Sequence, residues 1–397
     1  MTQRLLFGAL CMLASELALC APVINAQPPL VSALPERAVL DTRVIGESNG
    51  NALGVVSALA LDSRGTLYVL DGSDYQVVVL DSLGRKLRTI SRRGGGPGEL
   101  QEPSTLRIVG DTLSVVDQVA GRHVFTLDGT WVRTERREQM TASRFPMRHG
   151  FTLEYVDPLP TGRLSYSDTP QPTPYVRAIV LEHPGGRRDT ISSWRTDHVI
   201  VPETVRPQLA SSGMGHGGTW ALHGDSLVTL ADGYTGQLRF LRITPKGLQS
   251  VRFDSLRQRP RPVTDQELRA AERRYASSGF NMTLSTDGGE PKYGEMSARR
   301  FQNPPKAFSM ASRAFVSGTG DVWIGAPEVV SRMIFGGAEP TSQSRARDNV
   351  WSVFPANGAP YRVTLPDDRF LMAVRGSTLY LRDLEDRYIL HVMTVQQ

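Results

Sequence analysis

VSALALD SRG TLYVLD GSDY QVVVLD SLGR KLRTIS, residues 56–91, holds four short apolar segments separated by turns of Gly, Asp and Ser. Such turns set close antiparallel connections, so the stretch reads as a four-stranded meander. LYVL and VVVL are apolar at consecutive positions rather than alternate ones. A strand of that kind is buried on both faces and lies in a sheet packed between neighbours. Antiparallel sheets stacked face to face around an axis are propeller blades, whereas a two-layer sandwich would alternate cleanly.

The phrase recurs. A Gly turn, a short apolar strand and then Asp read RGTLYVLD at 64–71, GDTLSVVD at 110–117, TGRLSYSD at 161–168, GDSLVTLAD at 224–232 and RGSTLYLRD at 375–383, with a degenerate GTGDVWIGA at 318–326. Repetition of one supersecondary unit points to a repeat architecture. The units run 56–91, about 105–137, 147–195, 219–254, 313–366 and 370 to the end. The sixth lacks a fourth strand. AVLDTRVIG at 38–46 is a lone strand ahead of the first unit and can supply it, which removes the exposed sheet edges. The fold expected is all-β: a six-bladed β-propeller closed by an N-terminal strand, with a small helical insertion between blades 4 and 5.

The run from VSALALD through RGGGPGELQEP (56–103) resembles a six-bladed propeller of the NHL-repeat type, in an exported bacterial protein. The matching pattern is a Gly turn, an aromatic-containing strand ending in Asp, a Val-rich strand ending in Asp, then G-x-G-x-G-E-(apolar)-x-x-P. NVWSVFPANGAPYRVTLP near the C-terminus shares it; the third unit departs from it. The resemblance implies either a binding module or, less commonly in that family, an enzyme, because fold alone does not fix an activity.

Residues 1–26 read as an export signal: Arg4, an apolar stretch over 5–21, then VINAQ offering cleavage after Ala26. Residues 27–37 follow as a linker and 38–397 as the propeller. Cys11 and Cys20 are the only cysteines and both lie in the signal, so a processed chain has no disulfide, thiolate site or cysteine nucleophile. LALC at 17–20 offers a rival lipid anchor at Cys20, although Leu19 is large for that cleavage site. No later segment is long enough to span a membrane. These features place the protein in the periplasm or outside the cell, as a monomer.

The formal charge is +5, but Lys occurs only at 86, 246, 292 and 306, and the other 41 of the 45 basic residues are Arg. They are spread along the chain without a block, which speaks against nucleic acid as a partner.

In a propeller the links between strands one and two, and three and four, lie at one end of the ring. Strand 2–3 turns and interblade links lie at the other. The long excursions 196–217, 255–310 and 327–348 all fall at the second end, near blades four and five, and long loops in a compact domain commonly carry function. The largest holds a helix signal, with Thr264 as cap and Glu267 completing a capping box before DQELRAAERRYA. It reads as a clip over the blade edge, as a lid over the channel, or as a disordered segment.

No catalytic set stands out. Ser48 sits in a G-x-S-x-G match at 46–50, but a strand follows where a nucleophile elbow needs a helix. GGGPGE at 94–99 has no following G-K-[ST] and reads as an interblade turn. Asp71, Asp117, Asp232 and Asp383 recur at one repeat position and read as turn caps rather than metal ligands. Arg148 and His149 start the first strand of blade three, His216 precedes that of blade four, and Arg313 starts that of blade five. They form either a channel-mouth ligand site, suited to an anion, or separate surface and core groups. The function expected is a cofactor-free binding or scaffold module for a protein, peptide or glycan, recognised on the long-loop face. The alternative is a lactonase- or lyase-like enzyme with a divalent metal such as Ca2+ in the channel.

Overall fold

The computed structural model describes residues 33–46, 53–135, 143–156, 174–201, 208–210, 217–260, 262–266, 268–269, 307, 309–325 and 349–396. Residues 34–397 form one compact unit. It is an all-β, six-bladed propeller. Strands β1 (Glu36–Arg37) and β2 (Val39–Ile45) precede the first sheet of β3 (Val56–Leu61), β4 (Leu67–Asp71), β5 (Gln76–Leu80) and β6 (Lys86–Ile90). The second sheet is β7 (Pro103–Val109), β8 (Thr112–Asp117), β9 (Gly121–Thr126) and β10 (Trp131–Glu135). The third is β11 (Ser143–Pro146), β12 (Thr152–Val156), β13 (Pro174–Glu182), β14 (Arg188–Val201) and a fifth strand β15 (Gln208–Ala210). The fourth is β16 (Gly218–His223), β17 (Leu227–Asp232), β18 (Gln237–Thr244) and β19 (Gly247–Ser255). The fifth is β20 (Arg313–Val316), β21 (Val322–Gly325), β22 (Asn349–Phe354) and β23 (Tyr361–Leu365), and the sixth is β24 (Arg369–Arg375), β25 (Thr378–Asp383) and β26 (Leu390–Val395).

The strand β2 is the outermost of the sixth sheet, antiparallel to β26 with Val39 opposite Val395 and Ile45 opposite Leu390. The segment before it is also engaged. β1 pairs parallel with β23, the Arg37 guanidinium lies 4.0 Å above the Tyr361 ring, and Leu34 is buried with Phe240, Val322, Ile324 and Phe354. Residues 34–45 therefore run along the outer edges of two sheets, further than a fourth strand alone requires.

The helix expected from Thr264 onward lies mostly outside the described residues. Asp265, Gln266, Leu268 and Arg269 are helical, with the Leu268 N–H 3.0 Å from the Thr264 carbonyl. TGRLSYSD at 161–168, Ser48 and the export signal also lie outside them.

Among the described residues, five of the six seams between sheets are apolar clusters. Tyr68, Leu70, Val77 and Val79 face Leu106, Leu113, Val115 and Phe125 of the second sheet. Leu67, Val69, Val78 and Leu80 meet Phe370, Met372 and Tyr380 of the sixth. Both faces of these strands are thus buried, as their unbroken apolar runs require. Similar clusters join the third and fourth, fourth and fifth, and fifth and sixth sheets. The seam between the second and third differs. Alternation puts Arg107, Ser114 and Val124 on the facing side of one sheet and Arg144, Glu154, Val180 and Glu182 on that of the other.

The recurrent aspartates cap turns. Asp117 accepts from the backbone N–H of Gln101 (2.6 Å), Glu102 (2.9 Å), Val119 (2.9 Å) and Ala120 (2.9 Å). It therefore ties the strand 2–3 turn to the incoming interblade link. Asp71 does the same, accepting from Ser73 and, at 3.2 Å, from Gly54. A Cβ at Gly54 would lie 2.0 Å from the Asp71 carboxylate. Asp232 and Asp383 accept from Tyr234 and Thr235, and from Glu385 and Asp386. The Gly-rich turn is held likewise: Glu99 accepts from the Gly96 N–H at 2.8 Å and pairs with Arg92.

Candidate functional site

The first strand of each sheet is its inner edge, so unpaired backbone groups face the axis between apolar side chains. A cavity of about 770 Å³ occupies this axis. Leu59–Ser63, Leu106–Ile108, Trp220–Gly224, Ala314–Thr319 and Met372–Arg375 line it. They come from the first strands of sheets one, two, four, five and six. Its lining extends onto the strand 1–2 turns at Ser63, Gly224, Gly318 and Thr319, so it reaches the short-turn end of the ring.

Three groups set the charge. Arg107 projects from mid-strand β7, its guanidinium 4.5 Å from the Phe145 ring centroid. Burial pushes its pKa down and nearby Arg122 adds to the effect. Arg375 crosses Gly65, where a Cβ would lie 2.1 Å from its Nη1, and donates to the Ser63 carbonyl at 3.4 Å. Asp62 is the single carboxylate in the lining. It accepts from the Arg64 and Thr66 N–H groups at 2.9 and 2.8 Å and from the Arg64 guanidinium. Burial pushes the Asp62 carboxyl up, but these donors outweigh it and hold it below the usual carboxylate range. Asp62 is therefore already committed to its own turn.

Aromatic rings continue from Arg107 along the wall. Phe145 meets Trp220 edge-on at 5.2 Å, and Trp220 stacks on Tyr155 at 5.7 Å. Trp220 also lines a second, smaller cavity of about 110 Å³ with Tyr155, Arg177, Trp194 and Ser312.

Arg148 and His149 do not begin a strand. They lie in a 3-10 turn, Arg148–Gly150, between β11 and β12. The Arg148 N–H donates to the Asp225 carbonyl at 3.0 Å, and its guanidinium lies 2.8 Å from the Asp225 carboxylate, in the strand 1–2 turn of the fourth sheet. The true first strand is Ser-Arg-Phe-Pro, too polar and too short to show an apolar pattern. Arg313 does begin β20, at the opposite end of the inner strands. It lies 4.0 Å over Phe370 and 4.9 Å over Phe315 and donates to the Leu371 carbonyl. Burial, with nearby Arg382, lowers its pKa to about 10. The structure thus separates Arg148 and His149 from Arg313; His216 lies outside the described residues. Arg107, Trp220 and Arg375 were not singled out from sequence. A cation inside the apolar strand TLRIV was the available signal for Arg107.

Among the described residues no group of three His, Cys, Asp or Glu could hold a metal ion, and no helix is long and apolar enough to cross a membrane. No family model matches the chain. No curated protein matches it either. Solved structures similar in fold include a member of the DUF4221 family from Bacteroides vulgatus, at 12% identity over 90% of this chain and 97% of that one, with a TM-score of 0.48. A protein from Bacteroides fragilis has 11% identity over 91% and 99%, with a TM-score of 0.47. Virginiamycin B lyase from Staphylococcus aureus has 7% identity over 89% and 99%, with a TM-score of 0.37. These likenesses concern the ring of sheets and assign no residue of this chain a role.

Proposed function

We propose that this protein is an exported, monomeric binding module of NHL-repeat type, closed by β2. It works without a cofactor and recognises a protein, peptide or glycan at the end of the ring that carries its long links. The observation that supports this reading is where those links are anchored. The chain leaves β14 and β15 for β16, β19 for β20, β12 for β13 and β21 for β22 through its long stretches. All are interblade or strand 2–3 connections. Such connections share one end, since the Met310 N–H of an interblade link donates to Gly233 in a strand 2–3 turn at 2.7 Å, and Gly72 likewise donates to Val55. At the other end the links are tight turns such as Asp62–Thr66, Asp81–Arg85 and Ser317–Asp321. Long links carried at one end of a ring of sheets are suited to recognition.

The enzyme alternative, a lactonase- or lyase-like reaction at a channel metal such as Ca2+, would need several free carboxylates aimed at the axis. The one in the cavity lining, Asp62, is committed to Arg64 and Thr66.

The test is a glycan and peptide array probed with the chain and with a version in which 264–300 is replaced by a short Gly/Ser linker. Loss of the bound features in that version is expected, with little change on Arg64→Ala or Arg85→Ala. Features that survive the replacement but vanish with the arginine changes would place recognition at the wrong end.

A further inference from the structure

We propose that the axial cavity is a second ligand site, entered from the short-turn end, which takes a small organic anion with an apolar body. Arg107 would hold the anionic group, and Trp220 and Phe315 would flank the body. This site lies away from the long-link end, so it can stand or fall independently of the reading above.

Size is the first argument. A cavity of about 770 Å³ falls within the roughly 300–1,000 Å³ that small-molecule sites occupy. Shape chemistry is the second. Leu59, Leu106, Phe315, Met372 and Trp220 line the cavity between the unpaired backbone groups, so the body of a ligand finds apolar and aromatic contact there.

Charge is the third and decides the sign. Arg107 and Arg375 both line the cavity, and among the described residues neither has a carboxylate partner. The described contact of the Arg107 guanidinium is the face of Phe145. A ring face attracts a cation but accepts no directed hydrogen bond, so the donor fork of Arg107 is left available. Arg375 is anchored at one point, the Ser63 carbonyl, and is exposed at the rim. The lining carboxylate, Asp62, is already bonded by Arg64 and Thr66. An entering anion therefore meets uncompensated positive charge in an apolar setting, where a guanidinium can take a carboxylate or sulfonate through two parallel bonds.

The probe is 8-anilinonaphthalene-1-sulfonate, an aromatic body with one anionic group, followed by fluorescence. Its uncharged analogue N-phenyl-1-naphthylamine is the control. One site per chain is expected, with the sulfonate bound at least about tenfold more tightly than the analogue, as a charge-assisted bond implies. Octanoate should displace it and octylamine should not. Arg107→Met keeps an unbranched apolar stem and removes the charge. It should weaken sulfonate binding about tenfold or more and leave the analogue within about twofold, while Arg85→Ala, at a residue that pairs with Asp81 outside the cavity lining, changes neither. If Arg107→Met fails to fold, octanoate should still raise the melting temperature of the unaltered chain, and Arg375→Ala, at the exposed rim, should reduce that rise. Equal binding of both probes, unchanged binding in Arg107→Met, or no rise with octanoate overturns the proposal.

Discussion

The seam between the first and second sheets and the seam between the second and third use one backbone plan with different side chains. In the first seam Tyr68, Leu70, Val77 and Val79 interleave with Leu113, Val115 and Phe125, all essentially without solvent exposure. In the second, charged groups are satisfied within their own sheets: Arg122 and Arg133 on Glu135, Arg144 on Glu182, and Arg188 on Glu154. A buried apolar seam stabilises through area removed from water. A charged seam gives little net stability, because pairing mostly repays the desolvation of its own ions. The ring is thus held firmly around five joints and more loosely at one. That sixth joint is also where Arg107 reaches the channel.

Removing residues 38–46 is the harshest way to break the comparison. It strips Ile45 from the cluster joining the first and sixth sheets and exposes the edge of β26. Aggregation, or loss of the cooperative thermal transition, is expected. A soluble deletion variant with an unchanged melting temperature would show that the apolar joints do not depend on this strand.

Leu113→Ala against Val124→Ala compares the two seams directly. Leu113 is fully buried in the apolar seam, whereas Val124 lies on the face turned toward the third sheet. The first should cost about 3 kcal/mol, within the range for Leu→Ala in a close-packed core. The second should cost about half that, since fewer apolar neighbours lose contact. Denaturant midpoints would measure both, and equal costs would dissolve the distinction.

That distinction also explains how much could be read from the chain. Unbroken apolar runs bounded by Gly and Asp, as in TLYVLD and QVVVLD, gave strand limits within a residue or two, and the recurrence of Asp foretold its capping role. In the third sheet only AIVL, at 178–181 in β13, gives such a signal. Its first strand is Ser143–Pro146, its fourth runs over Arg188–Val201, and it gains β15. With one face charged, only alternate residues such as Leu153 and Tyr155 in β12 are apolar, and Arg148 and His149, which the sequence places at a strand start, form a turn. The cavity was equally hidden. Its polar members, among them Asp62, Arg107, His223, Ser317 and Arg375, come from five sheets, and only closure of the ring brings them together.

Asp117→Ala should cost on the order of 2 kcal/mol, because four backbone donors lose their acceptor. The pH dependence has a definite sign. Burial pushes the Asp117 carboxyl up, but the N–H groups of Ala120, Glu102, Gln101 and Val119 outweigh it and hold it below its ordinary value. Its contribution is fully present above the unfolded carboxylate pKa and lost as pH falls through the lower folded one. The stability difference between the original chain and Asp117→Ala should therefore shrink on acidification below about pH 4. A difference constant with pH would mean that the cap acts through shape alone.

The smallest effect should come from Arg148. Its pair with Asp225 joins the third and fourth sheets across the short-turn end, but both side chains are about half exposed, at 46% and 55%. Asp225 is held below its usual pKa mainly by the hydrogen bond from the Arg148 side chain, yet solvent screening at this exposure leaves little of that as stability. Arg148→Ala should thus lower stability by less than about 0.5 kcal/mol, and the Arg148–Asp225 double-mutant cycle should return a coupling of similar size that fades in high salt. Packing at this seam comes instead from Leu153, Ile179, Leu181 and Trp194 against Val228 and Leu230. A coupling well above 1 kcal/mol would make this end of the ring a joint in its own right and would shift weight from buried apolar area to surface charge.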